Sequence, residues 1–243
     1  MQHLVSGLVA RQGISMSELA ARSGIARSQL YRIDAGDSSP SVSTLRELAI
    51  AAGLDFPLTF TPLSDPQAAV AARYILGDGP EGGQEAAAWV ERIERNTDDS
   101  PAEICRFAGA ASNPRQRGGA ALFRGGFHPA TLIDAGQASG EHWAISGALA
   151  LNALDDGPDT AGPTILWVAD VESVARVLAL SMRRRDDAPS IADLIVAPAP
   201  NELFANAVRQ GALRLVSPTQ AVIDAFGLGG ELGARAVHDI QRW

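Results

Sequence analysis

Four glycines, Gly13, Gly24, Gly36 and Gly53, cut the first 63 residues into short helical runs, and this spacing constrains the fold more than any other feature of the chain. Leu4, Leu8 and Val9 lie on one face of a helix that Gly13 ends. Ser15, with Glu18 three residues on, forms a capping box ahead of Leu19 and Ala20, and Gly24 stops that helix. A third run carries Leu30 and Ile33 as far as Gly36, and Asp37-Ser38-Ser39-Pro40 is a turn. A fourth run places Val42, Leu45, Leu48, Ala49 and Ala52 on one face and ends at Gly53. Leu54 to Leu63, broken by Pro57 and Pro62, reads as an extended exit. Residues 1–63 are therefore expected to form a compact all-α domain.

Gly24 tolerates the left-handed turn needed to swing one helix across another. Ile25, Leu30 and Ile33 pin the third helix to the core. Arg27, Ser28, Gln29, Tyr31 and Arg32 are then left on its outer side, and such side chains hydrogen-bond base edges in a major groove. The bland alternative is a packed helical domain with the same shape and no DNA to read.

Leu19-Ala20, Gly24-Ile25, Arg27-Ser28, Leu30, Arg32-Ile33-Asp34, Gly36, Pro40, Leu45 and Leu48-Ala49 together resemble the helix-turn-helix domain of the XRE (Cro and phage-repressor) family. The resemblance implies a double-stranded DNA operator as partner. It puts base readout on Arg27, Ser28 and Arg32, with Gln29 and Tyr31 beside them and further contacts from Arg11 and Ser38. Met16 stands where the family often has a phosphate-anchoring Gln, and Ala26 where a polar cap commonly starts the third helix. One such domain is expected to bind weakly alone, so a homodimer on a palindromic or directly repeated site is expected.

The rest of the chain differs in charge. All 20 basic residues are arginine. Residues 1–63 carry five of them against five acids, while residues 64–243 carry 15 against 23 acids. An acidic body is a poor general phosphate binder, so any DNA contact must be local and salt-dependent. Cys105 is the one cysteine, and there is neither a signal-like start nor a membrane-length apolar run. A cytoplasmic protein without membrane contact is the expectation.

Residues 64–140 read as a helical linker or subdomain. Helices are expected at 66–76, 84–95, 101–112 and 129–138, with a turn and short strand within Asn113–Gly126. From 141 to 243 the pattern becomes α/β. "HWAISGALALNAL" is a strand running into a small-residue helix, and further strands are expected at Thr164–Ala169, Ser190–Ala197 and Leu213–Ser217. Helices are expected at Val171–Ser181, Glu202–Arg209, Thr219–Phe226 (with Pro218 at its first position) and Leu232 to Arg242. The fold class is thus an all-α helix-turn-helix domain followed by an α/β domain with a small mixed sheet.

"HWAISGALAL", "NELFANAVRQGALRLVSPTQAVIDAFGLGG" and "ARAV" resemble the AbiEi-type antitoxin regulators of type IV toxin–antitoxin systems. That resemblance implies a degenerate nucleotidyltransferase-like sheet, autorepression and a cognate toxin partner, although the usual head of that family is a winged helix. An active transferase needs a Gly-Ser turn before a helix and two carboxylates at alternate strand positions, which share a face and hold a metal. Ser146-Gly147 is a candidate remnant of the turn. Asp170 stands alone after its strand, and Asp155 and Asp156 are adjacent rather than alternate. His3, His128, His142 and His238 are scattered, and no Lys follows Gly79, Gly82 and Gly83 as in a phosphate-binding loop. No enzyme activity, cofactor or metal is therefore expected, and Cys105, Trp143 and Trp167 read as core.

Two basic clusters remain. Arg115, Arg117 and Arg124 form one, and Arg183-Arg184-Arg185, followed by Asp186-Asp187, the other. They are either solvated loops or accessory phosphate contacts beside the operator. The leading reading is a sequence-specific DNA-binding regulator, an autorepressor and candidate antitoxin. The alternative is a ligand-sensing repressor with a pocket between the sheet and the helices of 66–138.

Overall fold

The computed structural model describes residues 3–154, 159–186 and 189–240. The chain divides into two compact units, Met1–Thr61 and Pro62–Trp243, referred to below as the head and the body.

The head is four helices: α1 (Leu4–Gln12), α2 (Met16–Ser23), α3 (Arg27–Ala35) and α4 (Val42–Ala51). Val5, Leu19, Leu30, Ile33 and Leu48 meet in one core, with Leu8, Val9 and Ile25 at its margin. Val5 rather than Leu4 completes the inward face of α1, because Val5, Leu8 and Val9 stand at i, i+3 and i+4. Val42, expected inward, is 54% exposed, since it opens α4 a turn before that helix reaches the core. Ser15 caps α2 by accepting from the Glu18 N–H at 3.1 Å. The reciprocal half of the expected capping box is replaced: the Glu18 carboxylate pairs with Arg22 instead.

The body begins with α5 (Pro66–Ile75), α6 (Gln84–Asn96) and α7 (Pro101–Ala111), followed by β1 (Ala121–Arg124) and α8 (Pro129–Ala138). It continues through β2 (Trp143–Gly147), α9 (Ala148–Leu154), β3 (Thr164–Val168), α10 (Val171–Leu178), β4 (Arg183–Arg184) and β5 (Leu194–Pro198). It closes with β6 (Val208–Gln210), β7 (Leu213–Leu215), α11 (Pro218–Leu228) and α12 (Gly230–Ile240). Among the described residues the strands form one mixed sheet in the order β4-β1-β5-β3-β2-β7-β6. The pairs β3–β5 and β2–β7 are parallel and the others antiparallel.

The central strands are buried on both faces, which is why "ILWV" in β3 reads as an unbroken apolar run. Alternation then sorts its side chains. Ile165 and Trp167 face a layer containing α5, α6, α7, α11 and α12, whereas Leu166 and Val168 face α8 and α10. Residues 64–140 accordingly form no layer of their own: α5–α7 share a core with β3, β5 and α11, and α8 packs on the other face.

Three expected elements differ. Glu202–Arg209 is not a helix but a 3-10 turn at Asn201–Phe204 followed by β6. The cause is the buried Arg73, whose guanidinium donates to the carbonyls of Glu202, Leu203 and Ala205 at 3.2, 3.0 and 2.7 Å and to that of Asp78 at 2.9 Å. Those carbonyls are then engaged by a side chain rather than by helical N–H groups. The Ser190–Ala197 strand starts only at Leu194, after a 3-10 turn. β4 takes up Arg183 and Arg184, expected in a loop, pairing them with Arg124 and Phe123. The last residues of the expected terminal helix, up to Arg242, lie outside the described residues.

α7 and α11 cross at two glycines. A Cβ on Gly109 would lie 2.5 Å from the Ile223 carbonyl oxygen and 2.8 Å from the Gly227 nitrogen. Below this crossing the body buries a carboxylate. Asp224 on α11 accepts from the Ser146 hydroxyl on β2 (2.6 Å), the Trp167 indole N–H on β3 (2.8 Å) and the Gln220 amide (2.9 Å). Burial pushes Asp224 from 3.8 up to about 6, against the pull of these three bonds and of Arg117.

Two predictions follow from this packing. Gly109→Ala is expected to destabilise the body by about 1–3 kcal/mol through overpacking, read from urea unfolding. For Asp224, the folded body holds the proton more tightly than the unfolded chain. Its contribution is therefore fullest below about pH 4 and is lost as pH rises to about 6. In Asp224→Asn the new carbonyl still accepts from Ser146 and Trp167, while its amide meets a turned-over Gln220. Relative to this variant the wild type should lose up to about 3 kcal/mol between pH 4 and 6. A stability difference that stays constant over that range would contradict the account.

Candidate nucleic-acid interface

α3 is held from behind and open in front. Its back is fixed by Leu30 and Ile33, both buried in the head core. Its last turn is tied to α1: the Asp34 carboxylate accepts from the Ser6 N–H at 2.9 Å and the Ser6 hydroxyl at 3.1 Å. The Asp34 carbonyl also accepts from the His3 N–H at 2.9 Å. The Ser6 N–H, ahead of the Ser6 hydroxyl, holds the Asp34 carboxyl below its usual range. Gly24, at φ 68°, turns the chain between α2 and α3, and the Ser23 hydroxyl accepts from the Ile25 N–H across that turn at 3.4 Å.

The side chains of Arg27, Ser28, Gln29, Tyr31 and Arg32 are all exposed on the open side. Arg27 lies over the Tyr31 ring, 5.8 Å from its centroid, with a guanidinium nitrogen 3.4 Å from the phenol oxygen. The pair offers a planar donor fork at the start of the helix, and Arg32 stands farther along it. Arg11 is exposed in the last turn of α1, and Ser38 is half-buried in the turn after α3. Met16 packs against the head core, and Ala26 begins α3 without a side-chain cap. Arg22 is occupied by Glu18, whereas Arg11, Arg27, Arg32 and Arg46 form no ion pair among the described residues. The Asp34–Ser6 tie was not visible in the sequence, because it joins residues 28 apart through one hydroxyl and one amide.

The accessory cluster does not present itself as a unit. Arg124 is exposed. Arg115 is half-buried and donates to the Leu228 carbonyl at 2.9 Å. Arg117 is buried beneath the sheet, which does not fit a phosphate contact. Its guanidinium lies 5.4 Å from the Trp167 ring centroid and donates to the Ser112 carbonyl at 3.1 Å, leaving Nε and Nη1 without a hydrogen-bond partner. Burial pulls Arg117 down to about 10, with Asp224 and then Asp65 opposing the shift. In the second cluster Arg184 pairs with Asp186 at 2.6 Å and with Glu172 at 3.7 Å. Asp187 lies outside the described residues.

The residues weighed for transferase chemistry have structural engagements. Ser146 is fully buried on Asp224. Asp170 caps α10 by accepting from the Ser173 N–H at 3.1 Å. Asp155 and Asp156 lie outside the described residues. Among the described residues no group of His, Cys, Asp and Glu is placed to hold a metal ion. Trp143, Trp167 and Cys105 are buried, and burial pushes the Cys105 thiol up to about 12. No described helix is long and apolar enough to cross a membrane.

Replacing Arg117 by Met should therefore act on the fold. Asp224 loses a nearby cation, its carboxyl rises further and the body melts at a lower temperature. The salt dependence of duplex binding should not change. A salt slope reduced by about one unit with unaltered melting would instead make Arg117 a phosphate contact.

No curated protein and no solved structure matches the chain. A family model described as Helix-turn-helix matches residues 8–58, from the middle of α1 through α4 into the exit segment. The head is thus an XRE-family helix-turn-helix, the DNA-binding domain of a transcriptional regulator.

Proposed function

We propose that the protein is a sequence-specific operator-binding repressor that reads DNA with the open face of α3. Arg27 and Arg32 read bases, Ser28, Gln29 and Tyr31 contribute beside them, and Arg11 and Ser38 contact the flanking backbone. The observation that carries this reading is the division of α3 into two buried anchors and five exposed polar side chains. Two heads act together on a repeated site, and the protein represses its own promoter. The body is non-catalytic and serves pairing, and a toxin is its further partner.

Selection of bound sequences from a random DNA pool with the full chain tests this. The enriched motif should contain guanines in two repeats and occur upstream of the protein's own gene. Arg27→Ala and Arg32→Ala should each cost about 1–3 kcal/mol, or roughly five- to 150-fold in operator affinity. Unchanged operator affinity in the double variant would remove α3 from the interface. Sedimentation should find two chains per operator. A single chain both with and without operator would exclude paired heads.

A second reading, ligand-sensed repression, is favoured by one observation: a cavity between α8 and the β6–β7 hairpin.

A further inference from the structure

That cavity has a volume of about 450 Å³ and a polar lining. Its floor is Trp143, buried on β2. α8 comes down onto the indole at Gly136, where a Cβ would lie 2.5 Å from the ring. Gln137 on α8 and His142 before β2 line one wall, and the His142 ring is set against Phe204 at 5.8 Å between centroids. The other wall is the hairpin, which contributes Arg209 and Arg214.

These two arginines stand directly opposite each other in the antiparallel β6–β7 pair. Like charges at such a position repel and destabilise the pair. Arg214 donates to the Glu141 carbonyl at 2.5 Å, and neither arginine forms an ion pair among the described residues. Among the described residues Glu141 is the only carboxylate lining the cavity. Two arginines, a histidine and a glutamine thus line a concave surface in a body whose overall charge is negative. An oxyanion between the arginines would turn the cross-strand repulsion into two charge-assisted pairs.

We propose that this cavity binds a small organic anion, with a phosphate or carboxylate group held between Arg209 and Arg214 and the remainder of the molecule lying on Trp143. The volume falls in the range of small-molecule sites and exceeds what an inorganic ion fills. The proposal deepens the ligand-sensing reading by naming the ligand's chemistry, but the binding itself does not require that operator affinity respond.

The test is calorimetric titration of the full chain with sodium phosphate and, separately, sodium citrate, against sodium chloride at matched ionic strength. Saturable binding of one anion per chain is expected, together with a higher melting temperature. Arg209→Gln should weaken binding at least tenfold and, in chloride alone, melt no lower than the wild type, because it removes the opposed charge. Arg214→Gln should weaken binding likewise. Arg183→Gln, on the far edge strand β4, should leave it unchanged. Absence of saturable binding to the wild type overturns the proposal, as does undiminished binding in both hairpin variants. A third overturning result is a lowered salt slope for duplex binding in those variants without any anion binding, since the arginines would then serve a DNA backbone. Operator affinity measured with and without phosphate reads the sensing role separately: anion binding that leaves it unchanged keeps the site and removes the sensor.

Discussion

The body is organised around a carboxylate that water cannot reach. Asp224 is held by one donor from β2, one from β3 and one from its own helix, so its position fixes α11 against the middle of the sheet. A buried charge is costly unless its lone pairs are taken and a countercharge is near. Both conditions are met here, by three hydrogen bonds and by the buried cations Arg117 and Arg73. The same requirement explains residues that otherwise look chemical. Ser146 is buried where a transferase would need it open, and Arg117 is drawn inward where a DNA contact would need it outside. Two helix approaches depend on what Asp224 anchors: α7 meets α11 at Gly109 and Gly227, and α12 comes beside it at Gly233, where a Cβ would lie 3.6 Å from the Ala225 carbonyl oxygen.

The head was legible in the sequence because what defines it is local. Caps, glycine stops and i, i+3 spacing act within about a dozen residues, and the α2–α3 turn needs only Gly24 and Ile25. The central strands were legible for a different reason. A strand buried on both faces is mostly apolar, and "ILWV" in β3 and "LIVAP" in β5 show it. What escaped was set by distant partners. Glu202–Arg209 has a helical pattern, but Arg73, 129 residues earlier, takes its carbonyls. β4 is two charged residues long, too short for any alternation to register. Asp224 reads as one more acid on an amphipathic helix until Ser146 and Trp167, 78 and 57 residues away, are seen to converge on it.

The candidate site was legible in part for the same reason. The exposed face of α3 follows from its buried face, so Arg27 to Arg32 were placed by periodicity alone. The 115–124 cluster shared only a sequence neighbourhood. Its members fall in a 3-10 turn, a buried loop position and an edge of β1, and they end with three different degrees of exposure. Charge counted along a chain measures a surface only where the backbone keeps the side chains on one face. The hairpin arginines show the converse. Arg209 and Arg214 are separated by a turn, and only strand register makes them neighbours.

Charge distribution also bears on how such a head would discriminate. A neutral head joined to a body of net −8 gains little from phosphate neutralisation, and that term carries no sequence information. Discrimination then rests on base contacts. Two base-reading arginines, at about 1–3 kcal/mol each, would supply roughly 2–6 kcal/mol, whereas specific operators are typically favoured over other DNA by about 4–10 kcal/mol. One head reaches only the lower part of that range, and two heads on a repeated site span it. The weakness at Met16 and Ala26, where no phosphate anchor and no polar cap are present, moves the balance further toward paired heads. An acidic body is no handicap under that arrangement. By depressing non-specific attachment it widens the ratio between operator and bulk DNA, provided that pairing recovers the affinity each head lacks.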